Sequence, residues 1–429
     1  MEIFIPVVLL LVLLALGIPV AISLALAGSI GIWMMVGLVP LLGILATAPQ
    51  SALGSYELLT IPMFILMAEL MGMSGISSSL FKAVAAWAGK IRGGLGISTV
   101  ITGALFGAVS GSSTASAATL ARTALPTMLE YNYRPGYSAG IVAMAGTIAM
   151  LIPPSVALIF YGLLSGANIS ALLIAGITPG VLVTVVLSLV VWLTVERNKT
   201  DESKEQPHFT WAEKVHSLKV ALPFVSLFGA VTGLIYSGIA TPVESSALGA
   251  TAALLYTLIN RSFSFVAFRQ AMIDTCLVTA MIGLIMVCAQ LFGYFVTVSG
   301  LALDLAAMIV GSGMPVWQIL ALIVVLYLFL GLFLDLISIL ILTVPVLLPI
   351  IQQLGLDPIW FGVVAILLAE IGIVTPPVGM NVFVIARVSG IPLADCFRGV
   401  TLPVLATLAL VIVVVAWPDL VLWLPNTMK

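Results

Sequence analysis

The chain interrupts two long apolar stretches with proline pairs, Ile152-Pro153-Pro154-Ser155 and Thr375-Pro376-Pro377-Val378. Proline removes a backbone donor and clashes with the preceding turn, so each pair breaks the helix that its apolar surroundings predict. The first prolines of the two pairs are 223 residues apart, and the same offset relates Pro19-Val20 to Pro242-Val243. This common register predicts that the chain is built from two copies of one unit.

The composition excludes a water-soluble domain. Hydrophobic residues make up 62% of the 429 positions and charged residues only 7%, whereas a soluble domain carries about 25% charged residues. The net charge of -2 provides no basic field that would hold a nucleic acid. We therefore predict an all-α integral membrane protein whose surroundings are mainly membrane lipid.

The sequence shows no signature of a common enzyme class. It contains no Gly-x-x-x-x-Gly-Lys-Ser/Thr loop for a nucleotide, and its two histidines, His208 and His216, both lie in a hydrophilic stretch. Cys276, Cys288 and Cys396 have neither disulfide nor zinc spacing. We predict a protein that is not an enzyme and binds no nucleotide.

Apolar segments are long enough for about ten transmembrane helices, since a crossing takes about 20 residues. Two further apolar stretches, 97–130 and 321–350, are predicted to form re-entrant hairpins of two short helices each. The predicted spans are 3–16, 18–37, 48–76, 138–165, 169–195, 220–237, 240–260, 272–298, 359–387 and 400–424.

The basic residues predict that the two hairpins enter from opposite faces. Lys and Arg are retained on the cytoplasmic side, and Lys82 and Arg134 flank the first hairpin, whereas no basic residue occurs between Arg269 and Arg387, around the second. The two copies then have opposite topology, which is the inverted repeat typical of secondary transporters.

The repeat predicts five regions along the chain, with amphipathic arms at 78–92 and 262–270 on the membrane surface. These regions are 1–96 for the scaffold part of repeat 1 with an interfacial arm, 97–195 for its transport part, 196–219 for a cytoplasmic connector, 220–320 for the scaffold part of repeat 2 and 321–429 for its transport part.

The helix breaks are the first candidates for a functional site. Each break frees carbonyl groups that can bind a cation, here around Pro153 and Pro376, and leaves a half-helix N-terminus that favours an anion. Asn381 follows the second break closely enough to face the same cavity. The alternative is a packing kink whose free backbone groups are satisfied by neighbouring helices.

The tip of the first hairpin concentrates small and hydroxyl residues in an apolar stretch. Ser110, Gly111 and Ser112 offer hard oxygen ligands for Na⁺, and Ser112, Ser113 and Thr114 offer donors for a substrate carboxylate. Close packing of helices through small residues is the alternative.

The second tip carries an acid, Asp335, in an otherwise apolar segment. A carboxylate at that depth is costly and marks a functional site by default; with Ser338 it is a candidate cation site, and the alternative role is a helix cap. Arg122, in the first hairpin, either meets an anionic substrate or extends to the cytoplasmic surface. Whether Arg122 or Asp335 contacts the substrate stays open.

Several motifs, in order and spacing, resemble the large membrane subunit of tripartite ATP-independent periplasmic (TRAP) transporters over essentially the whole chain. They are the segment from Gly103 to Ser113, Ile152-Pro153-Pro154-Ser155, Ile177-Thr178-Pro179-Gly180, Ala240-Thr241-Pro242-Val243-Glu244 and Thr375-Pro376-Pro377-Val378-Gly379-Met380-Asn381.

The resemblance implies Na⁺-coupled uptake of an organic acid across the bacterial inner membrane. A periplasmic binding protein would deliver the acid, a small four-helix membrane subunit would lie alongside, and the fold would be of the elevator type. The implied Na⁺ sites are Ser110, Ser112 and Ser155 on one side and Asp335, Thr375 and Gly379 on the other. The substrate would bind between the two sites, and Ser155 would also be one of its ligands. A passive anion channel and a divalent-anion symporter without a binding protein are the alternatives.

Overall fold

The computed structural model describes residues 3–89, 91–195 and 209–428, with all their side chains except those of residues 76–78 and 108–110. Throughout these ranges the secondary structure is helical and contains no strand. The predicted connector 196–219 lies mostly outside the described residues.

The first half of the chain forms twelve α-helices over its described residues. They are α1 (Phe4–Ala15), α2 (Val20–Val36), α3 (Leu38–Leu53), α4 (Thr60–Met73), α5 (Ile76–Ala88), α6 (Gly94–Ser110), α7 (Ser113–Thr123), α8 (Leu125–Glu130), α9 (Pro135–Thr147), α10 (Val156–Ser165), α11 (Ile169–Ala175) and α12 (Ile177–Thr194).

The second half adds ten α-helices, and short 3₁₀ turns occur at Tyr56–Leu59, Ile148–Met150 and Pro425–Thr427. The helices are α13 (Trp211–Tyr236), α14 (Pro242–Ile259), α15 (Phe265–Ser299), α16 (Leu301–Gly311), α17 (Val316–Gly331), α18 (Leu336–Gln353), α19 (Pro358–Gly372), α20 (Met380–Ser389), α21 (Leu393–Ala416) and α22 (Asp419–Leu422).

Six helical segments of the described chain are long and apolar enough to cross a membrane. They are Tyr56–Met73, Ile169–Thr194, Trp211–Tyr236, Phe265–Ser299, Leu336–Gln353 and Leu393–Ala416. The protein is therefore a multi-pass membrane protein by composition and fold, and the count of ten crossings stays a prediction. The difference arises largely because several predicted spans consist of two shorter helices, as α9 with α10 and α19 with α20 do.

Two boundaries differ from the sequence prediction. The predicted arm 262–270 is not a separate element, because α15 begins at Phe265 and continues without a break to Ser299. Its 35 residues extend about 50 Å at 1.5 Å per residue, more than the hydrocarbon layer is thick. The predicted span 48–76 is divided, because α3 ends at Gly54 and a 3₁₀ turn separates it from α4.

Helices from the two halves of the chain pack in an exchanged pattern. Helix α2 packs against α15 and α14 against α4; likewise α7 packs against α20 and α18 against α10. Within each half, the first helix of a hairpin packs against the helix that precedes the break, α6 on α9 and α17 on α19. Each predicted hairpin is thus inserted between broken helices of both halves.

Small residues allow several of these helices to approach backbone to backbone. A Cβ added at Gly107 would lie 2.3 Å from the Cα of Ala149, and one at Gly331 would lie 2.6 Å from the Cα of Gly372. These contacts join α6 to the 3₁₀ turn that follows α9, and α17 to α19, at positions that the 223-residue offset relates to within one residue. Only glycine fits at Gly107 and Gly331, because any Cβ would overlap the neighbouring backbone.

The tightest of these contacts yields a stability test. Gly399 of α21 faces α9, where an added Cβ would lie 1.8 Å from the carbonyl oxygen of Gly136. We expect Gly399→Ala to separate the two helices and to lower stability by about 1–3 kcal/mol. Thermal unfolding of the purified protein in detergent measures the effect.

Gly229 in α13 is the matched control, because a Cβ there meets nothing within 4 Å. Gly229→Ala should leave stability unchanged or raise it by about 0.5–1 kcal/mol, since alanine is the better helix former. Equal melting temperatures for the two variants would contradict the close contact between α9 and α21.

Candidate functional site

The tip of the first hairpin is a sharp turn between α6 and α7. Gly111 ends α6 in the left-handed region at φ 55° and donates its N–H to the carbonyl of Gly107 at 3.1 Å. Ser112 is the N-cap of α7; its hydroxyl accepts from the Ala115 N–H at 3.4 Å and lies 3.1 Å from the Thr114 hydroxyl. The side chain of Ser110 lies outside the described residues.

The first break is buried, and the hydroxyl of Ser155 finds its hydrogen-bond partners close by in the chain. Pro153, Pro154 and Ser155 are all buried, and the Pro153–Pro154 peptide bond is cis. The Ser155 hydroxyl donates to the Met150 carbonyl at 2.5 Å and accepts from the Leu158 N–H at 3.3 Å. Ser155 therefore caps α10, and one of its hydroxyl lone pairs is still available to a ligand.

The first tip and the first break are in contact, as the prediction of a joint site requires. A Cβ added at Gly111 would lie 2.9 Å from a methyl group of Val156, the residue that follows Ser155. Ser112 is half-buried beside this contact, and Ser113 is buried. The structure thus brings Gly111, Ser112 and Ser155 to one place between α6, α7 and α10.

The tip of the second hairpin is more open than the first. Asp335 is the N-cap of α18, where its carboxylate accepts from the Ser338 N–H at 3.3 Å and from the Ser338 hydroxyl. Asp335 is exposed, whereas Ser338 is buried. The acid predicted from the sequence therefore does cap its helix, and its exposed carboxylate oxygens can still receive a cation.

The second break is open where the first is closed. Pro376, Pro377 and Val378 are exposed, and the bond between the two prolines is cis. Thr375 donates its hydroxyl to the Ile371 carbonyl at 2.7 Å. Gly379 starts α20 in the left-handed region at φ 59°, and no side chain caps that helix start.

Glycine is required at the start of α20 for two reasons. A residue with a Cβ is disfavoured at this φ, and a Cβ would also lie 2.5 Å from the ring of Phe397. The first turn of α20 therefore begins next to the exposed break without a side-chain cap for its N–H groups.

Two buried polar side chains lie on either side of this break. Asn381, on α20, is 0% exposed, and neither its amide oxygen nor its amide nitrogen has a hydrogen-bond partner. Glu370, on α19, is 1% exposed, and neither carboxylate oxygen makes a hydrogen bond of good geometry. Unpartnered buried groups of this kind are rare in native proteins and need an explanation.

Arg122 lies apart from the other predicted site residues. It is in the last turn of α7 and is exposed. Ten residues of helix place it about 15 Å along the axis from Ser112. Of the two roles considered for it, extension to the membrane surface fits this position better than contact with a substrate at the tip.

A cavity of about 1000 Å³ lies at another place in the fold. Its lining comes from the end of α3, the 3₁₀ turn Tyr56–Leu59, the starts of α4, α14 and α16, helix α15, the end of α10 with the start of α11, and α18. Its polar lining includes Glu57, Thr60, Gln290 and Tyr294, while Pro349 represents α18. None of the hairpin-tip residues lines it, so this cavity is a crevice between helix groups rather than the predicted site.

The sequence pattern assigns no role to Glu370 and gives no sign of the cavity. Burial of an acid is visible only once α7 and α19 are folded together. The cavity residues carry no sequence signal either, since Gln290 and Tyr294 are ordinary polar positions on a long apolar helix.

Comparison with known proteins gives a consistent result. The family model described as "Tripartite ATP-independent periplasmic transporter, DctM component" matches residues 7–420. The chain is 32% identical over 373 residues to the C4-dicarboxylate TRAP transporter large permease protein DctM of Pseudomonas aeruginosa, covering 86% of each protein. It is 34% identical to the sialic acid TRAP transporter large permease protein SiaM of Vibrio cholerae, over 88% of this chain and 89% of that protein.

Among solved structures, the fold is similar to the YdaH transporter of Alcanivorax borkumensis, with a TM-score of 0.67 over 89% of each chain and 18% sequence identity. This similarity concerns the fold alone. The family match extends over nearly the whole sequence and includes both hairpins and both broken helices. The chain therefore belongs to the DctM-component family of TRAP transporters, which makes it a membrane permease subunit.

Proposed function

We propose that the chain is the large subunit of a secondary transporter that couples Na⁺ entry to uptake of a small organic acid across the bacterial inner membrane. A periplasmic binding protein delivers the acid, and a small four-helix membrane subunit lies alongside. The observation that carries this proposal is the exchanged packing of two hairpins with two broken helices, α7 on α20 and α18 on α10, in a member of the TRAP family.

Two groups of oxygen atoms suit Na⁺. At the first, the hydroxyl of Ser112 and the carbonyl groups freed around Pro153 lie close to the contact of Gly111 with Val156. At the second, the carboxylate of Asp335 lies with the hydroxyl of Ser338. Carbonyl, hydroxyl and carboxylate oxygens are hard ligands that replace the hydration shell of such an ion. The carbonyl groups around Pro376, with Thr375 and Gly379, complete the proposed second site.

The start of α20 suits the carboxylate of a substrate. Its first N–H groups follow Gly379, next to the exposed break, and have no side-chain cap, and a helix N-terminus favours an anion. The unpartnered amide of Asn381 belongs to the second residue of the same helix. Ser112, Ser113 and Thr114 begin α7, which packs against α20, so their hydroxyl groups reach the substrate from the other side.

The two helix groups around the 1000 Å³ cavity correspond to the predicted scaffold and transport parts. Helices α4, α14 and α15 belong to regions 1–96 and 220–320, while α10 and α18 belong to 97–195 and 321–429. An incompletely filled boundary of this kind favours an elevator movement, in which the transport part slides as one body along the scaffold.

The identity of the acid is not determined by similarity to relatives. Their names refer to C4-dicarboxylate, sialic acid and 2,3-diketo-L-gulonate, and the chain is 32–34% identical to all three. Another relative, also 32% identical, is named for isethionate, a sulfonate, so we propose a small organic acid, carboxylic or sulfonic, as the substrate class.

Asp335 allows its two roles to be separated. Asn is as good an N-cap as Asp, so Asp335→Asn should preserve α18 and remove only the charge. We expect Asp335→Asn and Asp335→Ala both to lower Na⁺-driven uptake in proteoliposomes about tenfold or more, the effect of losing roughly 1.4 kcal/mol of ion binding.

Asp357, the exposed N-cap of α19, is the matched control. Asp357→Asn makes the same chemical change away from both tips and should leave uptake unchanged. If Asp335→Asn transports like the wild type while Asp335→Ala does not, Asp335 is a cap only and the second Na⁺ site is wrongly placed.

The contact between the first tip and the first break can be tested at Gly111. Gly111→Ala places a methyl group against Val156 and should abolish most uptake, because it separates the oxygen atoms of the first site. Gly166→Ala has the same unfavourable left-handed φ, 70°, but meets nothing within 4 Å.

Both alanine variants should lose about 1–2 kcal/mol of stability, and only Gly111→Ala should lose uptake. Radiolabelled substrate uptake together with melting temperatures measures the two effects. Equal uptake by both variants would argue against a site at the first tip.

The elevator movement predicts that a bridge across the cavity stops transport. Gln290 of α15 and Pro349 of α18 both line the cavity, and their helices contact each other. In a background without the native cysteines, Gln290→Cys with Pro349→Cys should lose uptake on bridging by Hg²⁺ and regain it with a thiol reductant. Neither single cysteine should respond. Full uptake by the bridged pair would indicate a fixed barrier in place of a moving body.

A further inference from the structure

Glu370 is the one acid among the described residues that is buried with no hydrogen bond of good geometry to either carboxylate oxygen. It lies two residues before the end of α19, a helix that is buried from Trp360 to Gly372. The same end of α19 contacts the second hairpin through Gly372 and the carbonyl of Ala369, which lie against Gly331. The polar group that interacts with it is the hydroxyl of Ser113, in the first turn of α7.

Among the described residues, no charged group interacts with this carboxylate. The helices that pack against α19 are α10, α11, α17, α18, α21 and α22, and neither α11 nor α18 contains a titratable residue. Arg122 is the one charged residue of α7, and it is exposed near the far end of that helix.

The titratable groups on the remaining neighbours are engaged or remote. Tyr161 donates to the Pro358 carbonyl, at the opposite end of α19, and Tyr327 is bonded to Thr343. Asp395 and Arg398 form an ion pair with each other at the surface. The remaining groups are Asp335 at the start of α18, Cys396 on α21 and Asp419 on α22, and none of them interacts with Glu370.

An ionised carboxylate in this position would keep an uncompensated charge out of water, which costs several kcal/mol. A bound Na⁺ would require several oxygen ligands, and Ser113 supplies one. The neutral acid needs far less, since one hydroxyl neighbour satisfies most of its hydrogen-bonding capacity. The 223-residue offset relates Glu370 to Thr147, whose hydroxyl donates to the Met144 carbonyl at 2.8 Å. The related helix of the first half therefore packs without an acid at this position.

We propose that Glu370 is a proton-binding site that holds the first hairpin closed: the protonated acid packs against Ser113, and release of the proton to water requires the tip of the hairpin to move away from α19. The proposal deepens the transport function proposed above and rests on it for its consequence, which is loss of uptake as the pH rises. Its structural part, a protonated Glu370 at neutral pH, is independent of transport.

Infrared spectroscopy of the full-length protein in lipid nanodiscs tests the structural part. At neutral pH without Na⁺, we expect a carbonyl band of a protonated carboxylic acid that Glu370→Gln removes and Glu57→Gln retains, since Glu57 is exposed. Ser113→Ala should shift the band, because the acid loses its hydroxyl neighbour. Absence of the band in the wild type, or a band that none of these variants changes, would overturn the proposal.

Uptake in proteoliposomes tests the consequence. Glutamine imitates the neutral acid, so Glu370→Gln should transport at neutral pH and should lack the decline that the wild type shows at alkaline pH. An inactive but folded Glu370→Gln would overturn the proposal. So would a band that disappears from the wild type when Na⁺ is added at constant pH, because Glu370 would then be a Na⁺ ligand. If neither the wild type nor any variant transports while the infrared result holds, the proposed function fails and the proton site stands.

Discussion

Hydrocarbon cannot satisfy backbone N–H groups, and this constraint governs the four places where the chain ends a helix within the membrane-embedded core. Three of the helix starts carry a side-chain cap: Ser112 on α7, Ser155 on α10 and Asp335 on α18. The fourth start, at Gly379, has none. The hydroxyl and acid residues at the tips and breaks are thus needed for folding whatever they bind, and a ligand site is added to groups that the fold already requires.

The two halves of the chain meet this constraint differently. The first break is buried, with Ser155 hydrogen-bonded on both sides and Gly111 packed over it. The second break is exposed from Pro376 to Val378, and α20 lacks a cap. A transporter that opens to one side of the membrane at a time requires two related sites, one closed and one open. In the proposed mechanism, movement of the transport part exchanges which break is covered.

Much of this arrangement could be predicted from the sequence, for identifiable reasons. The proline pairs predicted both breaks, since proline acts on the backbone locally. The lengths of the apolar stretches 97–130 and 321–350 predicted the two hairpins, with the Gly-Ser cluster and Asp335 at their tips. The structure places Gly111, Ser112 and Ser155 together, and it shows that Asp335 is a cap. Burial could not be predicted, because a sequence pattern does not reveal which side chains a distant helix covers. The burial of Glu370 and the exposure of Arg122 became apparent only from the folded structure.

In the proposed elevator movement, the contrast between the glycine contacts and the cavity would let one part of the protein move without exposing its polar interior. Inside the proposed transport part, Gly140 and Gly399 bring α9 and α21 into backbone contact, so these helices are fixed to each other. The boundary with the scaffold instead contains a 1000 Å³ cavity between apolar helices. Glu370 and Asn381 lie in the proposed transport part and would travel with it in the proposed movement. Their desolvation would then be met once, when the protein folds, and would add nothing to the barrier of each transport cycle.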